Sequence, residues 1–139
     1  MEFITTNTKK KIKIIPATFR EQLTLKNEFW NILKDNPDIA NIMQDKGNSL
    51  ETAIKGILLA DTSDKFISAV FQCLKGCLYE DIRKIDELLF EDVPELREDY
   101  YEIIFECCKV NLTPFFKSLG SAFIKVLDEV TKQENLKQE

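Results

Sequence analysis

The sequence predicts a mainly α protein: a compact helical bundle of five to seven helices with a short N-terminal β-hairpin. Three observations carry this. Apolar residues recur at intervals of three and four through most of residues 18–130, the period of a helix with one inward face. A single stretch, Lys11-Ile12-Lys13-Ile14, alternates charge with apolar, the period of a half-buried strand. The 139 residues are 44% hydrophobic and 31% charged with four glycines and four prolines, which fits one domain over 1–139 and excludes disordered and collagen-like chains.

The hairpin takes residues 2–15. Phe3-Ile4-Thr5 is β-prone, and Lys11 to Ile14 is the return strand. Thr6-Asn7-Thr8-Lys9 is the turn, with Asn7 suited to a left-handed position. Two strands alone are marginal in water, so the ribbon must lie on the helices or pair with another chain. Pro16 ends it. Thr18-Phe19-Arg20-Glu21 reads as a capping box, in which hydroxyl and carboxylate satisfy each other's orphan amides. Phe19, Leu23, Phe29, Trp30 and Leu33 follow near helical spacing until Asn36-Pro37 stops the helix. A short helix is expected from Asp38 to about Gln44, with Ile39, Ile42 and Met43 inward, then a turn at Lys46-Gly47-Asn48.

Ser49 caps a helix carrying Leu50, Ile54, Ile57 and Leu58. Asp61-Thr62-Ser63-Asp64 breaks the chain and caps again. Phe66, Ile67, Val70, Phe71, Leu74, Cys77 and Leu78 then form a broad apolar stripe. Residues 79–94 read as an acidic connection, with about one turn of helix at Ile85, Leu88, Leu89 and Phe90. Val93-Pro94 opens the last long element, whose face is Leu96, Tyr100, Ile103, Ile104, Cys107 and Val110. Pro114 lacks an amide, so a break or kink is expected at Asn111-Leu112-Thr113-Pro114, with Thr113 capping a new helix that has proline in its first position. Phe115, Phe116, Leu119, Ala122, Phe123, Val126, Leu127 and Val130 line that helix, and residues 131–139 are polar and expected to fray.

Composition narrows the function. The chain has no histidine, which removes Ser/His/Asp and Cys/His sites, the commonest general base and the commonest metal ligand. None of the four glycines stands in a phosphate-loop pattern. Asp86-Glu87 and Glu91-Asp92 lack the alternating spacing of a calcium loop. Glu102 and Glu106 share a helix face, but a bundle di-metal site wants Glu-x-x-His, so they read as wet-face carboxylates. Cys73, Cys77, Cys107 and Cys108 lie within helical periodicity without a turn-presented C-x2-C pair, so buried, reduced thiols are expected rather than zinc ligands. No enzyme activity, cofactor or metal is expected.

The net charge is −5, with residues 1–26 at +4 and residues 80–106 at −8. The acidic total argues against nucleic acid as partner. The uneven spread reads either as solvated faces or as steering between subunits or toward a basic partner. No apolar run is long enough to span a membrane, and Met1-Glu2-Phe3 leads into polar residues rather than a signal sequence, so a cytoplasmic location is expected. The candidate binding residues are Leu112, Phe115, Phe116, Leu119, Phe123 and Leu127. Phe115 and Phe116 are adjacent and cannot both point inward, so their helix is either sandwiched centrally or offered to a partner.

The order of parts carries a resemblance. A short strand pair precedes a Pro-x-Thr-Phe-Arg-Glu helix start at Pro16 to Glu21. A helical body and an acidic linker follow, then Tyr100-Tyr101-Glu102 and Val110-Asn111-Leu112-Thr113-Pro114-Phe115-Phe116. Over about residues 2–120 this resembles the small tail assembly chaperones of long-tailed bacteriophages and prophages. The resemblance implies a helical, non-catalytic protein that binds the tape-measure protein and keeps it soluble until tail-tube subunits polymerise around it. It then leaves before the tail is complete. The expected partner is the tape-measure protein or another apolar helical protein, with homo-oligomerisation open, and with neither nucleic acid nor membrane. The alternatives are a connector-type morphogenesis protein that pairs its β ribbon between chains, a regulator that binds one host protein, and, most distantly, a carboxylate-based enzyme.

Overall fold

The computed structural model describes residues 1–38, 49–60 and 63–116. The protein is mainly α with a small antiparallel sheet at its N-terminal end. In chain order the elements are β1 (Glu2–Ile4), β2 (Lys11–Lys13), α1 (Phe19–Asp35), α2 (Ser49–Leu59), α3 (Asp64–Leu74), β3 (Leu78–Tyr79), β4 (Arg83–Lys84), α4 (Glu87–Asp92), a 3-10 turn (Pro94–Asp99) and α5, residues 100–116. The short helix expected from Asp38 to Gln44, the turn at Lys46-Gly47-Asn48, the Asp61-Thr62 break and everything after Phe116 lie outside the described residues.

The start of α1 follows the sequence closely. Thr18 Oγ1 accepts from the Glu21 amide at 3.2 Å, and Glu21 Oε1 accepts from the Thr18 amide at 3.1 Å. Leu25, Phe29 and Leu33 are its buried face, and α1 packs on α3. Ser63 caps α3 by accepting from the Phe66 amide at 3.2 Å. Ile12 and Ile14 are fully buried in the same core as Phe29, Ile54, Phe66, Leu89 and Ile103, so the ribbon does lie on the helices.

Three expectations change. First, the stripe ending at Cys77 and Leu78 is not all helix. α3 stops at Leu74, the chain turns through Lys75-Gly76, and Leu78–Tyr79 with Arg83–Lys84 makes a second hairpin where an acidic connection was expected. The sheet order is β1-β2-β3-β4, with Phe3 opposite Ile12 and Ile12 opposite Tyr79. The open edge of β2 is thus taken by the same chain, which removes the motive for pairing the ribbon between chains. Secondly, the left-handed residue of the first turn is Lys9, at φ 57°, rather than Asn7, whose side chain donates to the Glu98 carbonyl at 2.9 Å. Thirdly, α5 runs through Pro114 without the expected break. Thr113 is no cap: it lies inside the helix and its hydroxyl donates back to the Lys109 carbonyl.

Candidate functional site

No helix among the described residues is long and apolar enough to cross a membrane, and no three Cys, Asp or Glu side chains among them gather as a metal site requires. The four cysteines are buried as free thiols. Burial, then the charge of Glu21, pushes Cys73 up to about 12, and burial also raises Cys107 and Cys108. A thiol held protonated is a poor nucleophile, so none is poised for chemistry. Cys77 sits beyond α3, where its sulfur meets the Ile15 amide at 3.4 Å. It therefore packs between helix and sheet rather than on a helical face.

The two oppositely charged stretches meet within the chain. Lys11 Nζ lies 2.8 Å from Asp81. The hairpin turn then closes onto the acidic segment through polar groups. Asp99, 1% exposed, accepts from the Asn7 amide at 2.9 Å, the Thr8 amide at 2.9 Å and the Thr8 hydroxyl at 2.5 Å. Glu102 accepts from the Thr6 amide at 2.8 Å and the Thr6 hydroxyl at 2.7 Å. Burial alone would raise the Asp99 carboxyl. The hydrogen bonds from Thr8, Asn7 and Thr5 outweigh it and hold Asp99 below the ordinary aspartate value. This end of α5 is a closed joint.

Further along, α5 opens. Leu112, among the candidate binding residues, is fully buried and supports the helix from inside. Phe116 is half-buried against the core, edge-on to Phe29 with ring centres 5.7 Å apart. Phe115 turns the other way and meets Phe19 at 6.4 Å, and Phe19 is 70% exposed. The adjacent phenylalanines do present two faces. Leu119, Phe123 and Leu127 lie outside the described residues.

A second apolar surface was missed by the sequence reading. Lys55, Leu58, Leu59, Tyr101, Glu102 and Phe105 wall a groove of about 320 Å³ between α2 and α5. Leu59 is 90% and Tyr101 63% exposed. The signal was present as adjacent large apolar pairs, Leu58-Leu59 and Tyr100-Tyr101. The reasoning that split Phe115 from Phe116 also splits these: one of each pair faces in, the other out. Glu106, read as a wet-face carboxylate, is half-buried, and its Oε2 has no hydrogen-bond partner among the described residues.

What the geometry offers is apolar surface at two places on α5: the groove with α2 beside its first turns, and Phe115 with Phe19 near its last described turn. Residues 10–123 match a family model described as phage tail assembly chaperone protein, TAC. No curated protein and no solved structure matches the chain.

Proposed function

The chain belongs to the phage tail assembly chaperone family, and on that premise we propose that it is a non-catalytic chaperone that binds the tape-measure protein and keeps it in solution while the tail tube assembles. Its workplace is then the cytoplasm of the infected cell. A long helical client exposes apolar stripes that would otherwise aggregate, and a small acidic protein with open apolar surface can cover them. Many copies along one client act together even if each contact is weak.

The observation that supports this reading is the exposed ring of Phe19, 70% exposed, with the half-buried Phe115 beside it at 6.4 Å. An aromatic side chain offers roughly 150–250 Å² for burial, which suits it to anchor a partner helix. Phe115 is the proposed contact, with Leu119, Phe123 and Leu127 continuing its stripe in sequence. Leu112 and Phe116 hold the helix in place.

The test compares Phe115→Ala with Phe116→Ala by urea unfolding and by the soluble fraction of a co-expressed tape-measure segment. Phe116→Ala should lose about 2 kcal/mol of stability, because it removes a half-buried ring from the core edge. Phe115→Ala should lose less than about 1 kcal/mol and yet leave more of the client insoluble. Full chaperone activity in Phe115→Ala would sink the assignment of that residue, and a client equally soluble without the protein would sink the function.

A further inference from the structure

The two outer edges of the four-stranded sheet are unlike. β4 is Arg83–Lys84, two charged residues, with Arg83 held by Asp92 at 2.6 Å. A short, charged strand is one way a sheet edge is kept from pairing. β1 is Glu2-Phe3-Ile4, without lysine, proline or a break in register, and Ile4 is 59% exposed. Because β3 covers the inner edge of the first hairpin, the fold itself calls for no second chain there. The outer edge, on β1, has no strand beside it among the described residues.

The hydrogen bonds of the first hairpin fix what that edge presents. In an antiparallel pair, alternate residues turn amide and carbonyl toward the neighbouring strand. The Ile14 amide donates to the Met1 carbonyl at 2.7 Å, and the Thr5 amide to the Lys10 carbonyl at 2.9 Å. Phe3, opposite Ile12, lies midway between these and bonds inward in the same phase. Glu2 and Ile4 therefore turn amide and carbonyl outward. Just past the strand, the Thr6 amide is taken by Glu102 at 2.8 Å, which leaves Glu2 to Ile4 as the free stretch.

Two outward residues flanking a central one fit their own copy about a two-fold axis. With Phe3 on the axis, Glu2 stands opposite Ile4 of the second copy, and each such pair exchanges both N–H···O bonds. The half-buried Phe3 rings then meet at the closely spaced, non-bonded position, where an aromatic pair is favourable. Charge selects this register. Glu2 is the charged residue of β1, and here it faces isoleucine, in a row that runs Lys13, Glu2, then Ile4 and Lys11 of the second copy. Sliding the pair two residues one way sets Glu2 against Glu2, like charges directly opposite. Sliding it the other way sets Glu2 against Thr6, whose amide is already held.

We infer that β1 pairs antiparallel with β1 of a second copy of this chain, joining two four-stranded sheets across a two-fold axis. The pairing goes beyond the chaperone reading and does not depend on it.

The contact is small, so the association is weak. Sedimentation equilibrium of the full chain between ~0.05 and ~1 mM should show the mass rising from 16.2 kDa toward twice that value. Over the same range the amide signals of Glu2 and Ile4 should move more than those of Phe3 and Thr5, which are already bonded within the sheet. Ile4→Pro removes only an amide that points away from β2, a position where an edge strand accepts proline. It should keep the urea midpoint and stay monomeric. Ile4→Glu leaves the backbone intact and faces Lys11 within the chain, which favours the fold, but it sets acid against Glu2 of the second copy. It should weaken association by ~5-fold or more, and it carries the test if proline disturbs the ribbon. A mass of 16.2 kDa throughout the range in the unaltered chain would overturn the inference. A dimer undiminished in Ile4→Pro would remove β1 as the contact, and one undiminished in Ile4→Glu would contradict the register.

Discussion

Asp99 and Glu106 are both acids drawn out of water on the same stretch of chain, and the protein treats them oppositely. Asp99 is met by three donors from the hairpin turn, and its neighbour Glu102 by two more. Glu106, two turns on, keeps a buried oxygen with no donor among the described residues. A carboxylate that its own chain satisfies is structural: it ties the ribbon to the helices. A carboxylate drawn from water and left short of a donor works against the fold instead of tying it together. The first turn of α5 does both: Asp99 and Glu102 grip the hairpin turn, while Tyr101 faces the groove with α2.

The largest expected effect is at the Asp99 joint. Asp99→Ala leaves two backbone amides and a hydroxyl without their acceptor and should lose about 3 kcal/mol in urea unfolding. Asp99→Asn keeps one acceptor oxygen and should lose less. A loss below about 0.5 kcal/mol in the alanine variant, the range of an ordinary surface change, would show that the joint is ornamental and would break the contrast.

pH sharpens the contrast through opposite signs. The folded state lowers the Asp99 pKa, so its contribution is fully present above the ordinary value of 3.8 and is lost as pH falls through the lower folded value. The folded state raises that of Glu106, so its ionisation weakens folding as pH rises from the ordinary 4.5 through the higher folded value. Unfolding measured across this acid range should therefore lose its low-pH fall, in part, in Asp99→Asn. The smallest effect belongs to Glu106→Gln, which should leave stability at pH 7 unchanged or slightly raised. A clear loss there would mean that the Glu106 charge serves the fold, as Asp99 does.

The sequence made some parts legible because their signals are local. The capping box at Thr18 and Glu21, the stripe of α1 and the alternation in β2 each declare themselves within a few residues. The second hairpin does not. Leu78–Tyr79 and Arg83–Lys84 are too short to show a period, and Glu80 and Asp81 hold positive φ values of 52° and 63° without a glycine to announce the turn. Their left-handed backbone is held by long-range bonds: the Glu80 amide donates to the Lys11 carbonyl at 2.9 Å, and Asp81 pairs with Lys11. Pro114 misled because proline inside a helix usually breaks it, and nothing local shows that α5 continues. At the candidate surface, the adjacency of Phe115 and Phe116 made it legible that the two rings meet different neighbours, Phe19 and Phe29. The α2/α5 groove was not legible, because it joins residues far apart in sequence. Asp99 was one acid among eleven in residues 80–106, and no pattern marks the one that the hairpin turn will grip.

The contrast between the Asp99 joint and the apolar surface on α5 is tested most directly by solution NMR of the full chain with and without a soluble tape-measure segment. The side-chain signals of Leu59, Tyr101, Phe105 and Phe115 should move on binding, while the amides of Asn7 and Thr8, which donate to Asp99, should stay in place. Movement confined to the hairpin turn, with the groove and Phe115 unchanged, would contradict the account.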